Sequence, residues 1–470
     1  RDAHLANGVL LALGQKLTMN YECFCSWFFC IREDDEMKLF GTMKISDNMV
    51  EVGGVSAQSL AEEYGTPLYI IDEEQFKNTI ADFKYNFLSN QLKTNVIYAS
   101  KALLNLYVAN IIDQSGLSLD VVSGGELYTA LKAGFPAERI FFHGNNKLVK
   151  ELQMAIESNV GTIIVDNELE IEILSDLLKD YKKSQRVLLR VNPGIDAHTH
   201  EYIKTSKNDS KFGVSIFDED TIEIIKRIHD DEYLEFKGLH CHIGSQIFQE
   251  DSFLKESETM LEYISRIEKE ENIHVEELNL GGGFGVYYTE EDKPFSISEF
   301  LKKLVKFIED YSKNNGLHLK QIDIEPGRSL INNSGSTLYT IGGIKRTFGG
   351  KNYIFVDGGM TDNIRPALYQ AEYEGIIANK AEEKPAVKYT IAGKCCESGD
   401  LLIKDIMLPK AGRNDLFLIN STGAYNYSMS SNYNRIEKPA MVFVMNGESK
   451  LAVRREEYKD LIANDIVIND

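Results

Sequence analysis

At 470 residues the chain is too long for one minimal core and long enough for two large domains. With 43% hydrophobic and 26% charged residues, it has the composition of an ordinary globular protein, which rules out wholesale disorder. The 72 acidic side chains outnumber the 51 basic ones and leave a net charge of −21. Such a surface repels phosphate backbones, so nucleic acid is excluded as a general partner, although one small anion can still be held in a local pocket. No run approaches the roughly 18 apolar residues of a membrane span, so no membrane partner is expected. Six cysteines in so long a chain do not make a disulfide framework, and a cytoplasmic location is expected.

Residues 1–36 read differently from the rest. Phe24, Trp27, Phe28 and Phe29 crowd together with Cys23, Cys25 and Cys30. The apolar run is short for a secretory signal, and the following Arg32-Glu33-Asp34-Asp35-Glu36 is too acidic for a transit peptide. The cysteine spacing lacks a fourth ligand and matches no zinc pattern. This segment is expected to be an extension outside the functional fold, with Met37 or Met43 a sensible start for the folded domain.

A strand-like stretch around 43–64 comes next, and 37–66 is expected to pair with a β domain further on. Over 67–330 one unit then repeats: a short apolar, β-branched run, a polar or glycine-rich cluster, and a longer helical stretch. The runs are 95–100, 119–123, 139–143, 162–166, 187–192, 238–242, 277–280 and 321–325. Eight βα units fit an alanine racemase-like (β/α)8 TIM barrel, whose usual size is roughly 250 residues. A doubly wound open sheet is the alternative, since periodicity does not prove closure. The clusters after the runs are turn chemistry taken singly. In phase, on a closed barrel, their eight ends converge on one face. From 331 to 470, short β-rich runs (338–341, 353–357, 388–392, 415–420, 440–445) with little helix between them predict a C-terminal all-β domain.

The clusters carry chemistry. Gly281-Gly282-Gly283-Phe284-Gly285 lets backbone N–H groups approach an anion, but Val286 stands where a dinucleotide fingerprint needs its third glycine. Gly350-Lys351 is followed by Asn352, so there is no Walker loop either. A monophosphate fits better, because barrel phosphate sites favour the loops after strands seven and eight; the competing reading is a tight turn. Lys101 ends the first run, where apolar neighbours would desolvate its amine and leave it able to form a Schiff base; read alone it is a surface lysine. Glu325, at the end of the eighth, would face the same cavity. His240 and His242 share one strand face. With no third ligand in view, His242 reads better as a flat surface against a planar ring than as half of a metal pair, and no metal is expected.

Tyr98-Ala99-Ser100-Lys101, His242-Ile243-Gly244-Ser245-Gln246, the 281–285 glycines, Glu325-Pro326-Gly327-Arg328, Cys396-Glu397-Ser398-Gly399-Asp400 and Gly423-Ala424-Tyr425 occur in that order. The set resembles the fold-type III pyridoxal phosphate-dependent decarboxylases, most closely the branch acting on diaminopimelate, from about Val52 onward. The resemblance implies pyridoxal 5'-phosphate as cofactor, carried on Lys101, with His242 against its ring and Glu325 keeping the ring nitrogen protonated. It implies that Ser245, Gly283, Glu325, Pro326, Gly327, Arg328 and Tyr425 form the rest of the cofactor site. Cys396 would be the proton donor, supplied by the second subunit of a homodimer with shared active sites. Arg328 and Arg365 would read a distal carboxylate of a small amino-acid substrate, Glu397 a distal ammonium, and Tyr369 and Tyr425 would add hydrogen bonds.

The implied reaction is decarboxylation of meso-2,6-diaminopimelate to L-lysine. The alternatives are a decarboxylase of ornithine, arginine or carboxynorspermidine, a racemase on the same fold, or a non-catalytic cofactor-binding relative. A racemase would need a tyrosine base opposite the lysine and a basic group at the ring nitrogen, where Cys396 and Glu325 stand.

Overall fold

The computed structural model describes residues 37–195 and 210–468. The expectations for residues 1–36 lie outside the described residues.

Eight parallel strands close on themselves: β1 (Lys93–Ala99), β2 (Ser118–Val121), β3 (Ile140–Phe142), β4 (Thr162–Val165), β5 (Gln185–Asn192), β6 (Leu234–His240), β7 (Glu277–Asn279) and β8 (Gln321–Ile324). Each pairs with the next, and β8 returns to β1 through Asp323 opposite Asn95 and Ile324 opposite Val96. Closure makes this a barrel and removes the open-sheet alternative.

Side chains alternate along each strand, and the inward set begins with Ile97, Phe141, Ile164 and Leu188, which pack on one another as a separate cluster. The outward set, such as Leu119, Ile140, Ile163 and Leu189, packs under the surrounding helices. Some polar clusters at the strand ends start those helices. The side chain of Ser123 accepts the Glu126 N–H to cap Gly124–Lys132, and that of Asn167 accepts the Glu170 N–H to cap Glu168–Tyr181.

The second sheet runs in the order Leu401–Leu408, Val387–Ala392, Asn352–Val356, Gly335–Arg346, Leu68–Asp72, Ala440–Met445, Glu448–Val453, with Leu416–Ile419 also pairing Gly335–Arg346. Leu68–Asp72, which falls in the stretch read as barrel, is an interior strand here. It lies antiparallel to Gly335–Arg346 and parallel to Ala440–Met445. All five of its residues are buried, so nothing in its pattern separates it from a barrel strand. The segment before it forms its own three-stranded sheet, Lys44–Ser46, Met49–Val52 and Val55–Ser56. It meets the β domain through single bonds, Val50 N–H to Ala378 O at 2.8 Å and Gly447 N–H to Gly53 O at 2.6 Å.

Candidate active site

The C-terminal ends of the barrel strands surround a cavity of about 320 Å3, at the lower end of the roughly 300–1,000 Å3 that small-molecule sites occupy. Lys101 opens into it from the 3-10 turn Ser100–Ala102. Two bonds fix that turn: Tyr98 OH donates to Leu103 O at 2.8 Å, and Ser100 Oγ donates to Glu126 Oε2 at 2.9 Å. Lys101 is exposed to the cavity, so the apolar sheath expected around its amine is not there. Charged groups face it instead, among them Asp120 and Glu126.

Glu325 is the best-supported group in the cavity. Its Oε1 accepts from Asn279 Nδ2 at 2.8 Å and lies 2.8 Å from His143 Nε2, while Oε2 lies 3.1 Å from His240 Nε2. Burial alone would raise its pKa. The two imidazoles beside it and their hydrogen bonds outweigh that and hold it well below the usual carboxylate range. A carboxylate offers about four lone pairs, so Oε2 can still accept from a ring N–H. His240 is fully buried, and burial pulls it down to about 4.

His242 accepts the Gly282 N–H on Nδ1 at 3.2 Å. Burial, then the nearby Lys101 and Arg190, push its pKa well below 6.5, so the ring is neutral with its proton on Nε2. A neutral ring can lie against a heteroaromatic cation without charge repulsion.

The glycines are packed as well as open. A Cβ on Gly282 would lie 2.1 Å from Glu325 O, and one on Gly283 (φ +113°) 2.4 Å from Gly244 O. Only glycine lets the ends of β6, β7 and β8 approach so closely. Gln246 clips the same region, accepting Val286 N–H at 2.9 Å and donating to Val286 O at 3.1 Å. Pro326 O accepts the Ala99 N–H at 3.2 Å, and a Cβ on Gly327 would lie 2.9 Å from Ala99 Cβ, so this loop packs on the end of β1. Ser245 Oγ accepts from Arg328 Nη2 at 3.1 Å, and Arg328 Nη1 donates to Tyr288 OH at 2.6 Å. The Arg328 guanidinium lies 4.7 Å from the Tyr425 ring centre, and its Nε is buried without a hydrogen-bond partner. Ser245, Gly283, Glu325, Gly327, Arg328 and Tyr425 all line the cavity with Lys101 and His242.

The other expected residues stand apart from that lining. Arg365 is buried at the start of the helix Arg365–Tyr369, ringed by Tyr288 at 5.2 Å and by Tyr369 and Tyr425 at 5.7 Å each, with its Nε unpartnered. Tyr425, packed against both arginines, links Arg365 to the cavity. Cys396 and Glu397 are exposed on a β-domain loop and do not line the cavity. Cys396 N–H donates to Asn434 Oδ1 at 2.7 Å, and the neighbouring Cys395 N–H to the buried Asp400 at 2.8 Å.

The structure adds groups that no sequence motif marked. Asp120, His143 and Arg190 line the cavity, and Asn279 supports Glu325. Asp120 is buried with Oδ1 unpartnered, and burial pushes it up to about 6. The signal for two of them was strand alternation: two residues beyond the inward-facing Phe141 and Leu188 stand His143 and Arg190. Tyr288 had no such signal. It lies in a loop, and only the fold brings it between Arg328 and Arg365.

The cavity fits pyridoxal phosphate: an amine, a carboxylate held ionised, a neutral imidazole and a glycine cradle that a Cβ would fill. Comparison with known proteins agrees. Residues 73–332 match the family model of the pyridoxal-dependent decarboxylases, pyridoxal binding domain. The diaminopimelate decarboxylase of Bacillus subtilis is 48% identical over 431 residues, covering 92% of this chain and 98% of the relative. That of Staphylococcus aureus is 42% identical over 426 residues, covering 90% and 99%. The crystal structure of diaminopimelate decarboxylase from M. jannaschii in co-complex with L-lysine superposes with a TM-score of 0.84 at 34% identity, covering 91% of this chain and 98% of that one. By sequence and by fold alike, the chain belongs to the pyridoxal-dependent decarboxylases and, within them, to the diaminopimelate decarboxylases.

Proposed function

We propose that the protein is a pyridoxal phosphate-dependent carboxy-lyase that converts meso-2,6-diaminopimelate to L-lysine and CO2, the last step of lysine biosynthesis. One observation carries the reading: Lys101 and an ionised Glu325, supported by His143, His240 and Asn279, face one glycine-walled cavity. Bound pyridoxal phosphate supplies an electron sink for the pair left behind when CO2 departs.

The chain's own residues do the rest. Lys101 holds the cofactor by its amine. Glu325 keeps a proton on the ring nitrogen, and His242 lies against the ring face. Ser245, Gly283, Pro326, Gly327, Arg328 and Tyr425 hold the phosphate end. Arg365, with Arg328, Tyr369 and Tyr425, binds the distal carboxylate, while Glu397 takes the distal ammonium. Cys396 Sγ returns a proton to the carbon that has lost CO2. Because Cys396 and Glu397 do not line the cavity of their own chain, we assign them to the cavity of a second copy in a homodimer. A cytoplasmic location and a division into an extension (1–36), a pairing segment (37–66), a barrel (67–330) and a β domain (331–470) complete the proposal, with Leu68–Asp72 lent to the β domain. A carboxylate at the ring-nitrogen position disfavours the racemase reading.

The test is CO2 release by the purified enzyme with pyridoxal phosphate, supplied in turn with meso-diaminopimelate, ornithine, arginine and carboxynorspermidine. Turnover of the first is expected to dominate. Preference for any other substrate would overturn the assignment.

A further inference from the structure

A group of metal-type donors lies away from the cavity. Glu268 sits near the end of the helix Glu250–Glu271, and His274 lies in the link from that helix to β7. His318 lies in the link from the helix Ile297–Asn315 to β8. Both links enter their strands from the N-terminal side, so the group stands on the barrel face opposite Lys101 and Glu325. One donor atom from each of the three side chains lies within 4.8 Å of the others.

The carboxylate is the fixed member. The Glu268 side chain is only 7% exposed. Its Oε1 accepts the backbone N–H groups of Val275 and His318, each at 3.2 Å. Its Oε2 accepts the His318 N–H at 3.3 Å and lies 3.1 Å from His318 Nδ1. The His274 ring is stacked on that of His318, with centres 3.6 Å apart and planes 28° from parallel. Neither His274 ring nitrogen has a hydrogen-bond partner among the described residues. A plain histidine–carboxylate pair accounts for His318 but not for the placement of His274 beside it.

Distance is compatible with a shared ion. Zinc binds imidazole nitrogen and carboxylate oxygen at about 2.1 Å, so two such donors on one tetrahedral ion stand about 3.4 Å apart. The 3.1 Å between Glu268 Oε2 and His318 Nδ1 is a hydrogen-bond length that needs to open by only about 0.3 Å to reach that spacing. His274 is exposed on its outer side, and a rotation off the His318 stack brings a nitrogen towards the same point. We propose that Glu268, His274 and His318 bind one divalent transition-metal ion of the zinc class, with water completing its coordination. Two imidazoles and one carboxylate suit Zn2+, Ni2+ or Cu2+, whereas Mg2+ and Ca2+ prefer oxygen donors throughout. The ion clasps the end of one helix to the links that lead into β7 and β8, which makes its role structural.

The test is equilibrium dialysis of the holoenzyme against Zn2+, with the bound zinc counted per chain and the thermal midpoint recorded with and without the ion. Thiols elsewhere contribute equally to parent and variants, so the difference between them is the readout. His274→Ala and His318→Ala are each expected to bind one zinc fewer per chain and to lose the zinc-dependent rise in midpoint; His274 is exposed, so its variant should fold normally. An unchanged zinc count in both variants would overturn the site. Loss in His318→Ala alone would also reject it, in favour of the two-residue pair.

Discussion

The backbone N–H of Tyr425 donates to the carbonyl of Ala102 at 2.7 Å. A β-domain loop is thereby bonded to the turn that presents Lys101. Tyr425 adopts φ +70°, a conformation uncommon for a residue with a side chain. Ser428 Oγ donates to the same carbonyl at 3.2 Å, and the Tyr425 ring lies against Arg328. The amine proposed to carry the cofactor and the group assigned to its phosphate end thus share one anchor.

Glu325→Gln preserves shape but removes the charge. The variant is expected to keep pyridoxal phosphate bound and to lose turnover by roughly 100-fold, the scale of a missing preorganised electrostatic contact. Cofactor absorbance and kcat, measured at saturating substrate, separate the two effects. Unchanged kcat would remove Glu325 from its role at the ring nitrogen.

Arg365→Ala should weaken substrate far more than cofactor. A charge-assisted hydrogen bond in a pocket contributes roughly 1.5–3 kcal/mol, or about 10- to 100-fold in KM. The check is a pair of ligands, diaminopimelate and an analogue without the distal carboxylate. Equal losses for both would show that Arg365 does not read that group.

Cys396 is tested by subunit exchange. Lys101→Ala and Cys396→Ala proteins should each be inactive as homodimers. In a mixed dimer with shared sites, one site carries both changes and the other carries neither, so activity should partly return. Demonstrated exchange with no recovered activity would confine each site to one chain.

Glu256 gives a prediction about stability. Fully buried in the helix Glu250–Glu271, it accepts from Cys241 Sγ at 3.2 Å on Oε1, while Oε2 has no partner. Burial pushes it up to about 8 from an ordinary 4.5. The folded state keeps this proton where the unfolded state has lost it, so stability is full below about pH 4.5 and is lost as pH rises towards 8. The shift caps the effect at roughly 5 kcal/mol. Glu256→Gln removes the proton equilibrium, so the fall in urea midpoint between pH 5 and pH 8 should be smaller than in the parent. An identical fall would mean that Glu256 is ionised in the folded protein.

The barrel was legible because parallel strands buried on both faces read as short continuous apolar runs, such as Thr162–Val165, some of them closed by a helix-capping cluster. Leu68–Asp72 has the same character and was misplaced for that reason, since only pairing reveals its sheet. At the site, Lys101, His242 and Glu325 were legible as motif residues, and His143 and Arg190 could have been read from strand alternation. Tyr288 could not, because a loop carries no periodicity. The surroundings of Lys101 were also illegible: whether its neighbours are apolar or charged depends on what the other seven strands bring to the same end.

The strand Leu68–Asp72 constrains how the molecule is made. It leaves the ribosome before any barrel strand, yet its two neighbours in the sheet, Gly335–Arg346 and Ala440–Met445, are synthesised only after the barrel is complete. Until then its edges have no partners and stay open to mispairing. Truncation anywhere before Ala440 would leave at least one of its edges without a partner. The β domain therefore cannot be cut away as a C-terminal module without leaving an unpaired strand ahead of the barrel, because its sheet draws strands from both sides of the barrel in the chain.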